Sequence, residues 1–186
     1  MKTFAKLISA AVILILLNGC ASRMSSLKTT ILNESLTQKQ QSILVYTADI
    51  YLEKEDEKTK KWAKKTLENK RVKVDAKIVK KLNDIGVKAI HKKGKFDKRT
   101  LIDLSENYSD YDSILVNIFK FGFANTRMYG VYNIFDTANK KTILKIDASF
   151  LISNDPVFNS ISDPSEFHAN SILKELQKQK IVCCNE

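Results

Sequence analysis

The alternation of apolar and polar residues is clearest in the second half of the chain. Residues 114–123 are apolar on both faces apart from one amide and one lysine, which predicts a central strand. Residues 129–136 and 142–152 follow as two more strands around a polar turn, and the second one alternates strictly. This pattern predicts a half-buried β-hairpin beside a fully buried strand.

Helical spacing predicts two elements in the first half of the chain. Residues 57–69 form a charged pattern that presents Trp62 and Leu67 to a core. Asp75 is suited to be the N-cap of the next helix, and Gly86 is suited to the position just after its end. Residues 87–90 then predict a short strand.

Two further helix starts are indicated by capping residues. Asp97 is suited to cap a helical turn through Leu101 and Leu104. Asp163 can cap the final helix, where Pro164 takes the first position and a glutamate completes a capping box. The apolar face of this final helix comprises Ala169, Ile172, Leu173 and Leu176.

Residues 42–52 fit two patterns. As a strand they place Leu44, Tyr46 and Ala48 on one face, and as a helix they align Ile43 with Thr47. The β-branched and aromatic content favours the strand. The sum of these elements predicts an α+β fold, in which a mostly antiparallel sheet of about 3–5 strands has helices packed on one face, including the C-terminal helix.

The first twenty residues follow a different pattern. Lys2 and Lys6 give a positive start, residues 7–17 are uncharged, and Leu17-Asn18-Gly19-Cys20 follows. This order is typical of a secretory signal peptide. As a helix the apolar run would span about 17 Å, against a hydrocarbon core of roughly 30 Å, so it is short for a membrane span.

The segment Leu17-Asn18-Gly19-Cys20 also resembles the lipobox of bacterial lipoproteins. The resemblance implies that the Cys20 thiol receives a diacylglycerol, that cleavage falls between Gly19 and Cys20, and that the new amine is acylated. Ala21 and Ser22 imply a cell-envelope location at the outer membrane facing the periplasm, rather than the inner membrane or the cell surface. An ordinary signal peptide or a membrane anchor ending in cysteine is the alternative.

This resemblance suggests four segments. We expect a lipoprotein signal peptide over residues 1–19 and a lipid-anchored flexible tether over residues 20–40. A single α+β domain would occupy residues 41–182, and residues 183–186 would form a C-terminal tail. No second long apolar run is present, so the expected contact with the membrane is through acyl chains on Cys20.

Positive charge is concentrated in one quarter of the chain. Residues 54–99 contain 18 Lys or Arg against 7 Asp or Glu. Such a surface can attract anionic lipid headgroups or glycans, and an envelope protein is the other partner expected. Lysines placed on solvated helix faces for solubility are the favoured explanation of the charge. We expect no nucleic-acid partner, because few aromatic residues interleave the lysines. The candidate anionic-surface patch comprises Lys60, Lys61, Lys64, Lys65, Lys92, Lys93 and Lys95.

Groups that could carry catalysis are few. His91 lies among lysines, which favours a neutral, solvent-facing ring, and His168 is expected on the surface of the final helix. The sequence has no metal-site or cofactor-loop motif, so neither a metal nor a cofactor is expected. Cys183 and Cys184 are adjacent, which disfavours a disulfide between them and leaves their redox state open.

An acidic stretch over residues 103–112 is the only material for a hydrolase. It holds Asp103, Glu106, Asp110 and Asp112, and paired carboxylates can serve as acid and base in glycoside hydrolysis. A turn before the central strand explains the same composition. We therefore expect a non-enzymatic envelope lipoprotein with a binding or accessory role in assembly, transport or exclusion. The alternative is an envelope hydrolase acting on glycan or lipid through residues 103–112.

Overall fold

The computed structural model describes residues 25–34, 38–49, 56–58, 61, 65, 68–97, 99–120, 127–151 and 164–183. No helix within these ranges is long and apolar enough to cross a membrane. The strands are β1 (Ser25–Ile31), β2 (Ser42–Ala48), β3 (Lys88–Gly94), β4 (Ser113–Lys120), β5 (Arg127–Asp136) and β6 (Lys141–Leu151). The helices are α1 (Asn69–Asp84), α2 (Thr100–Asn107) and α3 (Pro164–Lys178).

The six strands form one mixed sheet in the order β1-β6-β5-β4-β2-β3. β1, β6, β5 and β4 pair antiparallel, whereas β4, β2 and β3 pair parallel. The predicted α+β class is confirmed, but the sheet is larger and less antiparallel than expected. The reason is that α1 lies between β2 and β3, and a strand that follows such a helical crossover runs parallel to the strand before it.

Strand β1 lies inside the segment that the sequence assigned to a tether. Ser25 pairs with Phe150 and Ile31 pairs with Leu144 of β6, so this part of the tether prediction is wrong. Leu27 and Thr29 are half-buried, and Lys28 between them is exposed. An edge strand needs only one pairing partner and a modest apolar face, which explains why its polar composition gave no strand signal.

Helices cover both faces of the sheet. α1 and α3 pack on one face, over a core that includes Ile43, Ile78 and Ile172. The opposite face carries a second cluster around Leu44 and Ile114, against which the partly buried residues of α2 pack. The prediction that all helices lie on one face is therefore wrong for α2. Apolar side chains alternate on both faces of β2 and β4, and each face requires cover.

Several predicted elements are confirmed. The hairpin of β5 and β6, the central strand β4, the strand form of residues 42–48 and the C-terminal helix are all present. Gly86 has a φ of 80° just after α1, as its predicted position requires. Asp97 accepts hydrogen bonds from the backbone N–H groups of Arg99 and Thr100 at the start of α2. Trp62, Leu67 and Asp163 lie outside the described residues.

One capping prediction is wrong. Asp75 is not an N-cap, because α1 begins at Asn69 and Asp75 lies within the helix, fully buried. Glu166 extends its carboxylate to Lys77 and Lys81 of α1. Its predicted capping box with Asp163 stays a prediction, because residue 163 lies outside the described residues.

Candidate functional site

A group of buried polar side chains lies between α1 and the parallel part of the sheet. Each of five elements contributes at least one member, and most of the members have less than a tenth of their surface exposed. We call this group the buried cluster. It comprises Thr47 of β2, Arg71 and Asp75 of α1, His91 of β3, Asn117 of β4 and Tyr132 of β5.

The Asp75 carboxylate is the centre of the buried cluster and accepts three sets of hydrogen bonds. Thr47 Oγ1 donates to Oδ2 at 2.5 Å, and the Tyr132 hydroxyl donates to Oδ1 at 3.0 Å. Asn117 Nδ2 lies 3.0 and 2.9 Å from the two carboxylate oxygens. Since every donor comes from a different strand, the carboxylate ties α1 to β2, β4 and β5.

Burial and hydrogen bonding act on the pKa of Asp75 in opposite directions. Burial raises the pKa, because a charged carboxylate loses its hydration. Hydrogen bonds from Thr47, Asn117 and Tyr132, together with the charge of Arg71, act to lower it. Burial is the larger effect, so the pKa of Asp75 lies above its ordinary value.

The Arg71 guanidinium lies where β2 and β4 stop pairing. The last paired residues of these strands are Thr47 and Asn117. Arg71 Nη1 donates to the carbonyl oxygen of Ala48 at 2.8 Å, and Nη2 donates to that of Asn117 at 2.6 Å. In open α/β sheets the carboxyl ends of parallel strands separate to form a ligand crevice. Here a side chain of the protein itself occupies the gap between these two strand ends.

His91 connects the buried cluster to the edge of the sheet. Its Nε2 lies 2.8 Å from Thr47 Oγ1. Because the Thr47 hydroxyl donates to Asp75, its oxygen is left to accept, so the tautomer with the hydrogen on Nε2 fits this contact. Burial lowers the pKa of His91, and Lys93 adds to this effect while Asp75 opposes it. The neutral ring expected from sequence is consistent with this direction, but the ring is half-buried rather than solvent-facing.

The buried cluster has two chemical capacities. It satisfies polar groups at the interface between one helix and four strands, which fixes their relative positions. It also forms a chain of hydrogen bonds from His91 through Thr47 to Asp75, which links a half-buried imidazole at the edge of the sheet to a buried carboxylate. Both capacities depend on Asp75.

The lipobox residues Gly19 and Cys20, and the patch residues Lys60 and Lys64, lie outside the described residues. The other patch residues are all exposed, and three of them are on β3 or immediately after it. One of them, Lys93, lies 3.4 Å from Glu68 Oε1. The described members of the patch are Lys61, Lys65, Lys92, Lys93 and Lys95.

The four carboxylates of the acidic stretch have separate surroundings. Asp112 accepts hydrogen bonds from the backbone N–H groups of Gln41 and Ser42, at 2.7 and 2.9 Å. Asp110 pairs with Lys88 at 2.8 Å.

The other two carboxylates of the stretch lie on α2. Glu106 pairs with Lys140 in the β5–β6 turn at 2.9 Å. Asp103 is exposed in the first turn of the helix. The structure therefore gives each of the four carboxylates its own setting, and Glu106, Asp110 and Asp112 contact three different parts of the fold.

The remaining candidate residues are structural in character. Tyr132 is fully buried. His168 is also buried, so its predicted surface location is wrong. His168 lies on the face of α3 that packs against the core, and Ala169 and Ile172 of the same helix belong to that core. Cys183 is a half-buried free thiol. Among the residues that the structure describes, no group of His, Cys, Asp and Glu is arranged to hold a metal ion.

Sequence reasoning missed the buried cluster, although α1 contains a signal for it. The buried positions of α1 are Arg71, Val74, Asp75, Ile78 and Leu82, which recur at helical spacing. Two of these five positions carry charged residues. Charged residues within an otherwise apolar stripe indicate buried polar partners, and this is the feature from which the site could have been found.

Comparisons with known proteins identify no family. No protein-family model matches the chain, and no curated protein matches it. A solved dodecamer of PelC from Paraburkholderia phytofirmans is similar with a TM-score of 0.45 and 11% identity, covering 86% of this chain and 100% of that one. A variant of the same dodecamer gives a TM-score of 0.47 and 10% identity, covering 84% and 98%. Both similarities are too distant to carry an argument about family or function.

Proposed function

We propose that this chain is a lipid-anchored cell-envelope lipoprotein whose domain binds a partner and has no catalytic role. The observation that carries the proposal is the segment Leu17-Asn18-Gly19-Cys20 after a positive start and an uncharged run of eleven residues. Acyl burial contributes roughly 0.8 kcal/mol per methylene, and more than one chain is needed for stable anchoring. The two acylations implied for Cys20 meet that need.

The described fold supports a binding or accessory role in two ways. Arg71 occupies the gap between the ends of β2 and β4, where folds with parallel sheets place substrates. Three of the four carboxylates of the acidic stretch make contacts within the domain, including the two backbone hydrogen bonds accepted by Asp112. Both observations assign these charged groups to holding the domain together.

The anchor is tested by replacing Cys20. We expect Cys20→Ala to accumulate as an unprocessed precursor that takes up no alkyne-labelled fatty acid, because the acceptor thiol is missing. The matched control is the double variant Cys183→Ala and Cys184→Ala, which should be processed and labelled like the natural chain. Normal cleavage and labelling of Cys20→Ala would show that the chain is not a lipoprotein of this kind.

The hydrolase alternative is tested separately from the anchor. Substituting Asp103, Glu106 and Asp110 by their amides changes exposed side chains and should leave both folding and the cellular phenotype intact. Asp112 is left unchanged, because its loss would free two backbone N–H groups. A folded triple variant that behaves like a deletion of the gene would favour the hydrolase.

A further inference from the structure

The end of the sheet at which β1 begins also collects the carboxyl ends of the parallel strands. Ser25 pairs with Phe150 near the end of β6, and Arg127 at the start of β5 pairs with Leu151. Because β4 runs antiparallel to β5, Lys120 lies at this end too. β2 and β3 run parallel to β4, so they also stop here. We call this end of the sheet the anchor end. We call the opposite end the turn end, because the β5–β6 turn lies there.

Chain length limits how far the anchor end can lie from Cys20. Ser25 is the fifth residue after Cys20, and an extended chain covers at most about 3.6 Å per residue step. Ser25 therefore lies no more than about 18 Å from the acylated residue. The tether predicted over residues 20–40 would have allowed a much greater distance. The structure shortens the tether, because β1 joins the sheet at Ser25.

Several exposed lysines lie at the anchor end. Lys92 and Lys95 lie on the last part of β3 and just after it. Lys65 lies next to the start of α1, where its carbonyl accepts a hydrogen bond from Asn69. Arg71 contacts the carbonyl of Ala48, which places the start of α1 at this end.

Among the described residues, the acidic groups at the anchor end are fewer than the lysines, and two of them are already engaged. Glu68 lies near Lys93, and Asp97 accepts hydrogen bonds from the start of α2. Asp49 is exposed beside the end of β2, where its N–H donates to the carbonyl oxygen of Gly94. The described lysines that lie at this end are Lys65, Lys92, Lys93 and Lys95, and they outnumber these three acidic groups.

The turn end has a different balance. Lys88 is paired with Asp110, and Lys140 is paired with Glu106. These two lysines of the turn end therefore have acidic partners within the domain. Electrostatic attraction to an anionic surface acts within about 8 Å at physiological salt, so only lysines close to the bilayer contribute.

We propose that the anchor end faces the bilayer that holds Cys20, and that its exposed lysines bind the phosphate groups of anionic phospholipids. This inference rests on the proposed lipid anchor. The short link brings the anchor end to the headgroup region, and the excess of lysine there selects an anionic surface. The acyl chains then hold the protein at the membrane, while the lysines set the orientation of the domain.

The test uses the full acylated protein purified from cells. It is reconstituted in vesicles of phosphatidylethanolamine with either phosphatidylglycerol or phosphatidylcholine, and lysine acetylation is followed by mass spectrometry. We expect Lys92 and Lys95 to react about fivefold more slowly in the phosphatidylglycerol vesicles. Lys141 and Lys180, which are exposed at the turn end, should react equally in both. High salt should remove the protection.

Two double variants that remove the same amount of positive charge sharpen this test. Lys92→Gln with Lys95→Gln should abolish the protection of Lys65 and Lys93 in phosphatidylglycerol vesicles, whereas Lys141→Gln with Lys180→Gln should preserve it. Equal reactivity of Lys92 and Lys95 in the two vesicles, with acylated Cys20 in the same sample, would overturn the inference and leave the proposed function standing. Absence of lipid on Cys20 would overturn both.

Discussion

The two ends of the sheet use charge in opposite ways. At the anchor end, Arg71 and Asp75 are buried, and their partners belong to the protein interior. At the turn end, the pairs of Lys88 with Asp110 and of Lys140 with Glu106 lie on the surface, with about half or more of each side chain exposed. The position of a charged residue in the fold, rather than the number of charges nearby, decides how much it contributes to stability.

This difference has an energetic cause. A buried carboxylate loses its hydrogen bonds to water, and donors held in place by the fold must replace them. Removing either the carboxylate or a donor therefore leaves a buried polar group without a hydrogen bond. An exposed ion pair exchanges one set of water contacts for a weak, screened attraction. We therefore expect the buried cluster at the anchor end to be sensitive to single substitutions and the exposed ion pairs at the turn end to tolerate them.

The largest effect is expected from Asp75→Ala. This variant leaves the donors of Thr47, Asn117 and Tyr132 without their acceptor, which costs about 3–5 kcal/mol. The free energy of unfolding is measured by urea titration of the mature chain. The matched control Asp103→Ala removes an exposed carboxylate and should leave the urea midpoint unchanged. Similar midpoints for the two variants would refute the special role of the buried carboxylate.

A smaller loss is expected from Tyr132→Phe. The ring stays in the core, but Asp75 loses one donor and Asn117 loses one acceptor, so the free energy of unfolding should fall by about 1–2 kcal/mol. Tyr108→Phe, at a half-buried position on the other face, is the control. A Tyr132→Phe variant as stable as the natural chain would show that this hydroxyl is dispensable.

His91→Gln should change how stability depends on pH. The pKa of His91 is lowered in the folded chain, so below the ordinary value of 6.5 the unfolded chain takes up a proton that the folded chain resists. As the pH falls from 6.5, His91 should therefore lower the free energy of unfolding of the natural protein, and the variant should lack this decrease. The raised pKa of Asp75 acts in the opposite direction in both proteins. Parallel stability curves between pH 7.5 and 5 would contradict this account.

The smallest effect is expected from Asp110→Asn at the turn end. Lys88 loses a partner that is largely in solvent, so the urea midpoint should remain within error of the natural value. Repeating the titration at high salt should give the same difference. A clear destabilisation would show that surface pairs at the turn end matter as much as the buried cluster.

The sequence predicts the β5–β6 hairpin and the C-terminal helix well, because their apolar residues recur at a fixed period. It does not predict β1, since an edge strand with a single partner buries few apolar groups and resembles a linker. It also misassigns Asp75, because an aspartate before an apolar run is equally typical of an N-cap. Only the positions of Thr47, Asn117 and Tyr132 on other strands distinguish the two roles, and these contacts are distant in sequence.

The proposed anchor at Cys20 gives the two ends of the sheet their functional meaning, and one measurement tests it directly. Mass spectrometry of the mature protein should find Cys20 as the first residue, with a diacylglycerol on its sulfur and an acyl group on its amine. A mature chain that begins at any other residue, or one whose Cys20 carries a free thiol, would contradict the account.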